Sequence, residues 1–176
     1  MKFKRLVASV VMGALFSGAA FAQVKVGVIS SSTGPIAMVG IPQKNSVPLM
    51  PTKVGNLTVQ YIPLDDGSDP TASVVAIKKL ISEENVDAII GPSGSPNAMG
   101  VIQFAAEAGV PLLAPVGTAA VVLPMDDKKK WVFKTTQNDQ LIADALVGHM
   151  AKHGIKTVGF IGSSDPYGEN WAKVFT

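Results

Sequence analysis

Val86-Asp87-Ala88-Ile89-Ile90-Gly91-Pro92-Ser93-Gly94-Ser95-Pro96, residues 86–96, contains in one line the unit from which this chain is built. Asp87 to Ile90 is a short, largely apolar run that reads as a strand, and Gly91-Pro92 stops it. Pro96 suits the first turn of a helix, where the N–H it lacks would have no partner anyway. The pattern predicts a helix from Pro96 to Ala108 ended by Gly109, then a strand over Pro111-Leu112-Leu113-Ala114. Strand, glycine-bearing loop, helix and next strand make up the repeating unit of a parallel sheet.

The unit recurs on both sides. Val24 to Ile29 is predicted as a first strand, apolar enough to be buried on both faces. Leu57 to Leu64 is the second, with Thr58, Gln60 and Ile62 on one side and Leu57, Val59 and Tyr61 on the other. Asp69-Pro70 opens a helix in which Val74, Ile77, Leu80 and Ile81 form the buried stripe, expected to end near Asn85. Trp131 to Lys134 is a short strand. Asp139 to His153 is a helix with Leu141, Ala145 and Met150 roughly on one side and Gly154 beyond its end. Thr157 to Ile161 is a further predicted strand, and a helix begins at Tyr167. The prediction is an α/β fold with a doubly wound, mostly parallel sheet and right-handed crossovers.

Two stretches fit less well. Residues 37–53 should form the first crossover helix, yet Pro42, Pro48 and Pro51 interrupt them. An interior proline costs a helix about 3 kcal/mol, so this element is expected to be short or broken. The chain also stops at Phe175-Thr176, just after a helix has opened. A helix of ~8 residues is marginal alone, so the chain is read as the front part of a longer protein.

Composition narrows the function. Lys2, Lys4 and Arg5 precede an uncharged run from Leu6, and Ala20-Phe21-Ala22 closes it, the pattern of a secretory signal cleaved after Ala22. The competing reading is a membrane anchor, but the run is short for a ~20-residue span. Three of the 15 Lys+Arg lie in this segment, leaving 12 against 13 Asp+Glu and no arginine. Such a surface argues against nucleic acid as a partner. There are no cysteines, so an exported form relies on its core alone and carries no lipid-modified cysteine. No second run is long and apolar enough to span a bilayer.

Ligands in an open parallel sheet bind beyond the carboxyl ends of the strands. The loops expected there are Ser30-Ser31-Ser32-Thr33-Gly34-Pro35, Gly91 to Pro96, and Pro115-Val116-Gly117-Thr118. All carry glycine and most carry hydroxyls, and none has an ionised acid, histidine or cysteine. That chemistry suits holding a molecule rather than moving protons. Ser95, just before the first helical proline, can help a helix N-terminus hold a carboxylate, or can simply cap the helix. Thr118 can bind or can be a turn residue.

Ser32-Thr33-Gly34-Pro35, Leu64-Asp65-Asp66-Gly67-Ser68-Asp69-Pro70, Val86 to Pro92, Leu113-Ala114-Pro115 and Asp165-Pro166-Tyr167-Gly168-Glu169 occur in that order. Together they resemble the extracytoplasmic solute-binding proteins of ABC importers, in particular the branched-chain amino acid-binding group, across residues 23–176. The resemblance implies a type I, two-lobed receptor without catalysis or cofactor, a periplasmic monomer that hands a small amino acid or carboxylate to a membrane permease. It implies that Ser95, Val116 (through its backbone) and Thr118 hold the carboxylate and ammonium groups, and that Tyr167 covers the ligand. Val39 stands where the family often has an aromatic residue. Residues 23–137 would belong to lobe one and residues 138–176 to the start of lobe two. Thr135, Thr136 and Gln137 would be the first hinge crossing. The acidic residue that meets the ammonium group would lie in the absent part, so this chain by itself is expected to bind poorly.

Other readings are weaker. Gly91 to Ser95 departs from the G-x-S-x-G nucleophile elbow at its fifth residue, and only His149 and His153 could serve as a base. Those histidines have helical metal-binding spacing but no third ligand nearby in sequence. Asp65, Asp66 and Asp69 do not follow the calcium-loop pattern. Asp126-Asp127-Lys128-Lys129-Lys130 reads as a solvated loop. A sensory receptor domain, or a receptor for aromatic carboxylates, would share this fold and remains the alternative to amino acid transport.

Overall fold

The computed structural model describes residues 23–175; the signal-sequence reading of residues 1–22 lies outside them. The elements are β1 (Gln23–Ser30), α1 (Ala37–Ser46), β2 (Lys53–Val54), β3 (Leu57–Asp65), α2 (Pro70–Ser82), β4 (Ala88–Ile90), α3 (Ser95–Ala108), β5 (Leu112–Ala114), β6 (Val132–Lys134), α4 (Asp139–Lys152) and α5 (Pro166–Phe175). Short 3-10 turns at Val47–Leu49, Ala119–Val121 and Lys129–Trp131 fill the connections.

Six strands form one sheet in the order β2-β3-β1-β4-β5-β6. All neighbours run parallel except the two-residue β2, which pairs antiparallel with β3 at the edge. Ile29 lies beside Leu64 and Val28 beside Ile90. The core gathers Ile29, Ile77, Leu80, Ile89, Val101, Ala105 and Leu112, each at most 1% exposed. At about 25 cal/mol per Å² of apolar area, this layer between sheet and helices drives folding. Strand β1 is buried only in its second half, Gly27 to Ser30. Ahead of that half it reaches the exposed edge, and burial on both faces is not achieved there.

Local chemistry sets the helix limits. Asp69 Oδ1 accepts the Thr71 N–H at 2.8 Å and Pro70 takes the first helical position, as the sequence implied. Helix α2 stops at Ser82, three residues before Asn85, which adopts a positive φ of 53°. Helix α3 ends at Gly109 with φ 65°, a left-handed cap that costs glycine little. Helix α1 is short, as expected, but Pro42 lies inside it rather than breaking it; the helix ends one turn later and passes into the 3-10 turn containing Pro48.

Two expectations fail. Thr157 to Ile161 form no strand. A strand exists only through the ladder it makes with a neighbour, and no described strand lies beside this segment. Helix α4 does not bury the side carrying Leu141 and Ala145; Leu141 is 65% exposed, and the buried residues are Asp139 and Ala143.

Replacing Asp69 with alanine removes the N-cap acceptor of α2. Urea unfolding of Asp69→Ala is expected to show a loss of about 1 kcal/mol with an unchanged m-value.

Candidate functional site

The sheet order places β1 between β3 and β4, so the chain reverses its direction of travel across the sheet at that point. The loops leaving β1 and β4 therefore diverge and open a crevice at the carboxyl edge. A cleft of about 610 Å³ occupies it. Its first wall is Pro35, Ile36 and Val39, and its second is Ser93 to Asn97. Pro115, Val116 and Gly117 continue the rim, with Thr136 and Gln137 from the crossing. Asp139 and Ile142 of α4 and Ser163, Asp165, Tyr167 and Trp171 close the far side.

The first wall is held by hydrogen bonds between loops. Asp65 accepts from the Ser32 N–H (3.0 Å), the Thr33 N–H (3.3 Å), the Thr33 hydroxyl (2.9 Å) and the Gly67 N–H (3.0 Å). Desolvation pulls its pKa upward, but the bonds from Gly67, Thr33 and Ser32 outweigh it and leave the carboxyl below its ordinary value. The Ser68 hydroxyl donates to Thr33 O (2.6 Å) and accepts from the Ile36 N–H (3.2 Å). Across the crevice, the Ser93 hydroxyl accepts from the Ser31 N–H (3.0 Å) and donates to Gln43 Oε1 (2.5 Å), tying α1 to the loop after β4.

Ser95 is the first helical residue of α3, and Gly94 is its N-cap in extended conformation. Ser95 therefore does not act as a side-chain cap. Its hydroxyl makes no hydrogen bond within the described residues, and the first backbone bond of the turn runs from the Ala98 N–H to Gly94 O. The N–H groups of Ser95 and Asn97 are thus left at the helix N-terminus, beside the cleft, where the helix dipole favours an anion. Asn97 is fixed by its side chain, which donates to Asp66 Oδ2 at 2.8 Å.

The remaining residues singled out from the sequence are placed as follows. Val116 is on the rim, but its carbonyl already accepts the Thr136 hydroxyl at 2.6 Å. Thr118 sits behind the rim: fully buried, its hydroxyl accepts the Ala120 N–H at 3.2 Å and caps the 3-10 turn, so Val116 and Gly117 face the cleft instead. Tyr167 lies over Gly117, where an added Cβ would stand 2.7 Å from the Tyr167 ring. Only glycine allows that approach. Val39 lines the cleft. Thr135 continues the sheet through its N–H to Ala114 O (3.1 Å), while Thr136 and Gln137 line the cleft. His149 and His153, with ring centroids 4.1 Å apart, are exposed on α4 and are not among the residues lining the cleft.

Two residues on the far wall had not been anticipated as site residues. Asp139, 3% exposed, accepts from Asn170 Nδ2 at 2.6 Å. Burial raises its pKa above the ordinary 3.8, opposed by the Asn170 bond and by the Lys134 ammonium. Lys134 in turn is lowered by burial and held up by Asp139. Its ammonium donates to Thr136 O (3.1 Å), Thr136 Oγ1 (3.0 Å) and Gln137 O (2.5 Å). Trp171 stands one turn after Tyr167, their rings edge to face with centroids 6.5 Å apart. The i, i+4 spacing of two aromatics was a legible signal for that pair.

The Asp139 shift has a testable sign. The folded chain holds this proton more tightly than the unfolded chain, so the contribution favours folding at low pH and is lost as pH rises from 3.8 through the folded pKa. A carboxyl-carbon NMR titration is expected to place Asp139 above 3.8. In Lys134→Met the value is expected to move further up, because the neighbouring cation is gone; a downward move would contradict the assignment.

Comparison with known proteins agrees with this geometry. The family described as periplasmic binding protein matches residues 23–176. The chain is 26% identical to the Leu/Ile/Val-binding protein BraC3 of Rhizobium johnstonii over 99% of its own length and 49% of that protein. An extracellular ligand-binding receptor from Rhodopseudomonas palustris HaA2 superposes with a TM-score of 0.85 at 44% identity, covering 88% of this chain and 43% of that one. A solute-binding protein of an ABC transporter from Rhodopseudomonas palustris, solved with 4-hydroxybenzoate, superposes with a TM-score of 0.77 at 28% identity over 87% of this chain and 42% of the other. The chain thus spans about half the length of the relatives it matches. With a matching parallel sheet and a cleft at its switch point, it belongs to the periplasmic binding protein family.

Proposed function

We propose that this chain is the ligand-binding front half of an extracytoplasmic receptor that holds a small carboxylate solute and passes it to an ABC importer without altering it. One observation carries the reading. The N-terminus of α3 faces the cleft with the Ser95 hydroxyl and the Ser95 and Asn97 N–H groups unpaired. Those donors, with the helix dipole behind them, suit a carboxylate. Residues 23–137 form lobe one, residues 138–176 begin lobe two, and Thr135, Thr136 and Gln137 make the crossing. Thr118 acts by fixing the Val116–Gly117 rim, and Tyr167 covers the ligand from the second side. Closure would exclude water and strengthen each of these contacts.

Two solute classes have specific support. A branched-chain amino acid fits the likeness to a Leu/Ile/Val-binding protein, with the buried Asp139 on the cleft wall available to an ammonium group. An aromatic carboxylate fits the likeness to the receptor solved with 4-hydroxybenzoate, with the Tyr167–Trp171 pair as its wall. Calorimetry with leucine and with 4-hydroxybenzoate on the full-length protein separates them. Ser95→Ala is expected to weaken binding of the preferred solute by about 1–3 kcal/mol, the cost of losing a partner to a buried charge. Unchanged affinity would sink the site. The 176-residue chain alone is expected to bind more weakly than the full-length protein, because the opposite wall is incomplete.

A further inference from the structure

Most polar groups of the cleft are matched within the chain. Ser68, Ser93 and Thr136 each donate a hydroxyl proton to an oxygen, and Asp165 accepts from Ser163, Tyr167 and Gly168. Asp139 has Asn170 as donor and the Lys134 charge nearby. Two places keep donors with no acceptor. The first is the start of α3, assigned above to the carboxylate. The second is Trp171, whose indole nitrogen is buried and has no hydrogen-bond partner among the described residues. An indole N–H can only donate, so no rotation converts it into a group that needs nothing. A buried donor left alone costs about 1–3 kcal/mol, which marks the place of a partner that is not part of the chain.

The surroundings narrow what that partner is. Trp171 lines the same cleft as Ser95 but projects from α5 on the far wall. The Tyr167 ring meets it edge to face at 72°. Pro96, Pro115 and Val116 supply apolar surface on the lobe-one side. A slot walled by rings and prolines accepts a flat apolar body.

We propose that Trp171 is a specificity-determining residue whose indole N–H donates to an oxygen at the end of the solute remote from its carboxylate, and that the solute is a hydroxylated aromatic carboxylate. The proposal rests on the reading that the carboxylate lies at Ser95. An aliphatic side chain such as that of leucine would strip water from the indole N–H and return nothing. A ring hydroxyl answers it, and a site built around such a bond rejects the analogue lacking it.

Calorimetry on the full-length protein with 4-hydroxybenzoate, benzoate and leucine tests this in the wild type and in Trp171→Phe, which keeps the ring and removes the donor. The wild type is expected to bind 4-hydroxybenzoate about tenfold or more tighter than benzoate, and Trp171→Phe to reduce that ratio to about threefold or less while benzoate affinity stays within about threefold. Retained benzoate binding also reports that the variant is folded. A ratio that survives in Trp171→Phe, or leucine binding tighter than both aromatics to the wild type, overturns the proposal. If Trp171→Phe does not fold, a wild-type ratio below about twofold overturns it. Ser95→Ala separates the two readings. If it weakens all three ligands while Trp171→Phe leaves the ratio intact, the carboxylate site stands and the indole assignment falls. If Ser95→Ala changes nothing, or no carboxylate binds, both fall.

Discussion

The buried carboxylate of Asp66 is the constraint on which the site depends. It is 1% exposed, yet no cation pairs with it. Neutral donors hold it instead: Oδ2 accepts from the Ser73 hydroxyl at 2.7 Å and from Asn97 Nδ2 at 2.8 Å, and Oδ1 accepts the Ser68 N–H at 3.0 Å. The Asn97 amide also reaches the Ser73 hydroxyl at 2.8 Å. These bonds join the end of β3, the first turn of α2 and the first turn of α3. A charge so far from water is stable only when its acceptor sites are filled, so the three elements are locked in one arrangement.

The geometry of the cleft follows from that lock. Asn97 lies two residues beyond Ser95, so fixing its side chain fixes the direction in which the first N–H groups of α3 point. The neighbouring Asp65 performs the same service for the loop after β1. Adjacent acids thus divide the work, one gripping helices from inside and one gripping a loop at the rim. Neither carboxylate faces the cleft, which leaves its lobe-one side lined with donors and apolar surface.

Much of this was legible in residues 86–96, because glycine, proline and hydroxyl residues act through local backbone chemistry. The strand end, the helix start and the Asp69 cap are decided within a few residues and appear where the pattern put them. Thr157 to Ile161 is the opposite case: its apolar run suits a strand, but pairing is a property of two segments. Leu141 and Ala145 mislead for a related reason, since a stripe names a face without naming what covers it. The hydroxyl of Thr118 could be read from the sequence, but not its engagement by the Ala120 N–H. Asp139 and Trp171 become site residues only when α4 and α5 return to the sheet, which no local spacing records.

The ammonium of Lys134 clasps the carbonyls of Thr136 and Gln137, and the Thr136 hydroxyl is bound in turn to Val116. Four successive residues after β5's neighbour strand therefore travel as one stiff strut fastened to the lobe-one rim. Swinging the second lobe cannot twist that strut without stripping a charge of its oxygens. The bend is displaced to Asn138, the cap of α4, whose side chain makes no capping bond and leaves its torsions unrestrained. The pivot thus sits one residue beyond the segment that spans the lobes, immediately before the buried Asp139, so opening the jaws and moving that acid are a single motion.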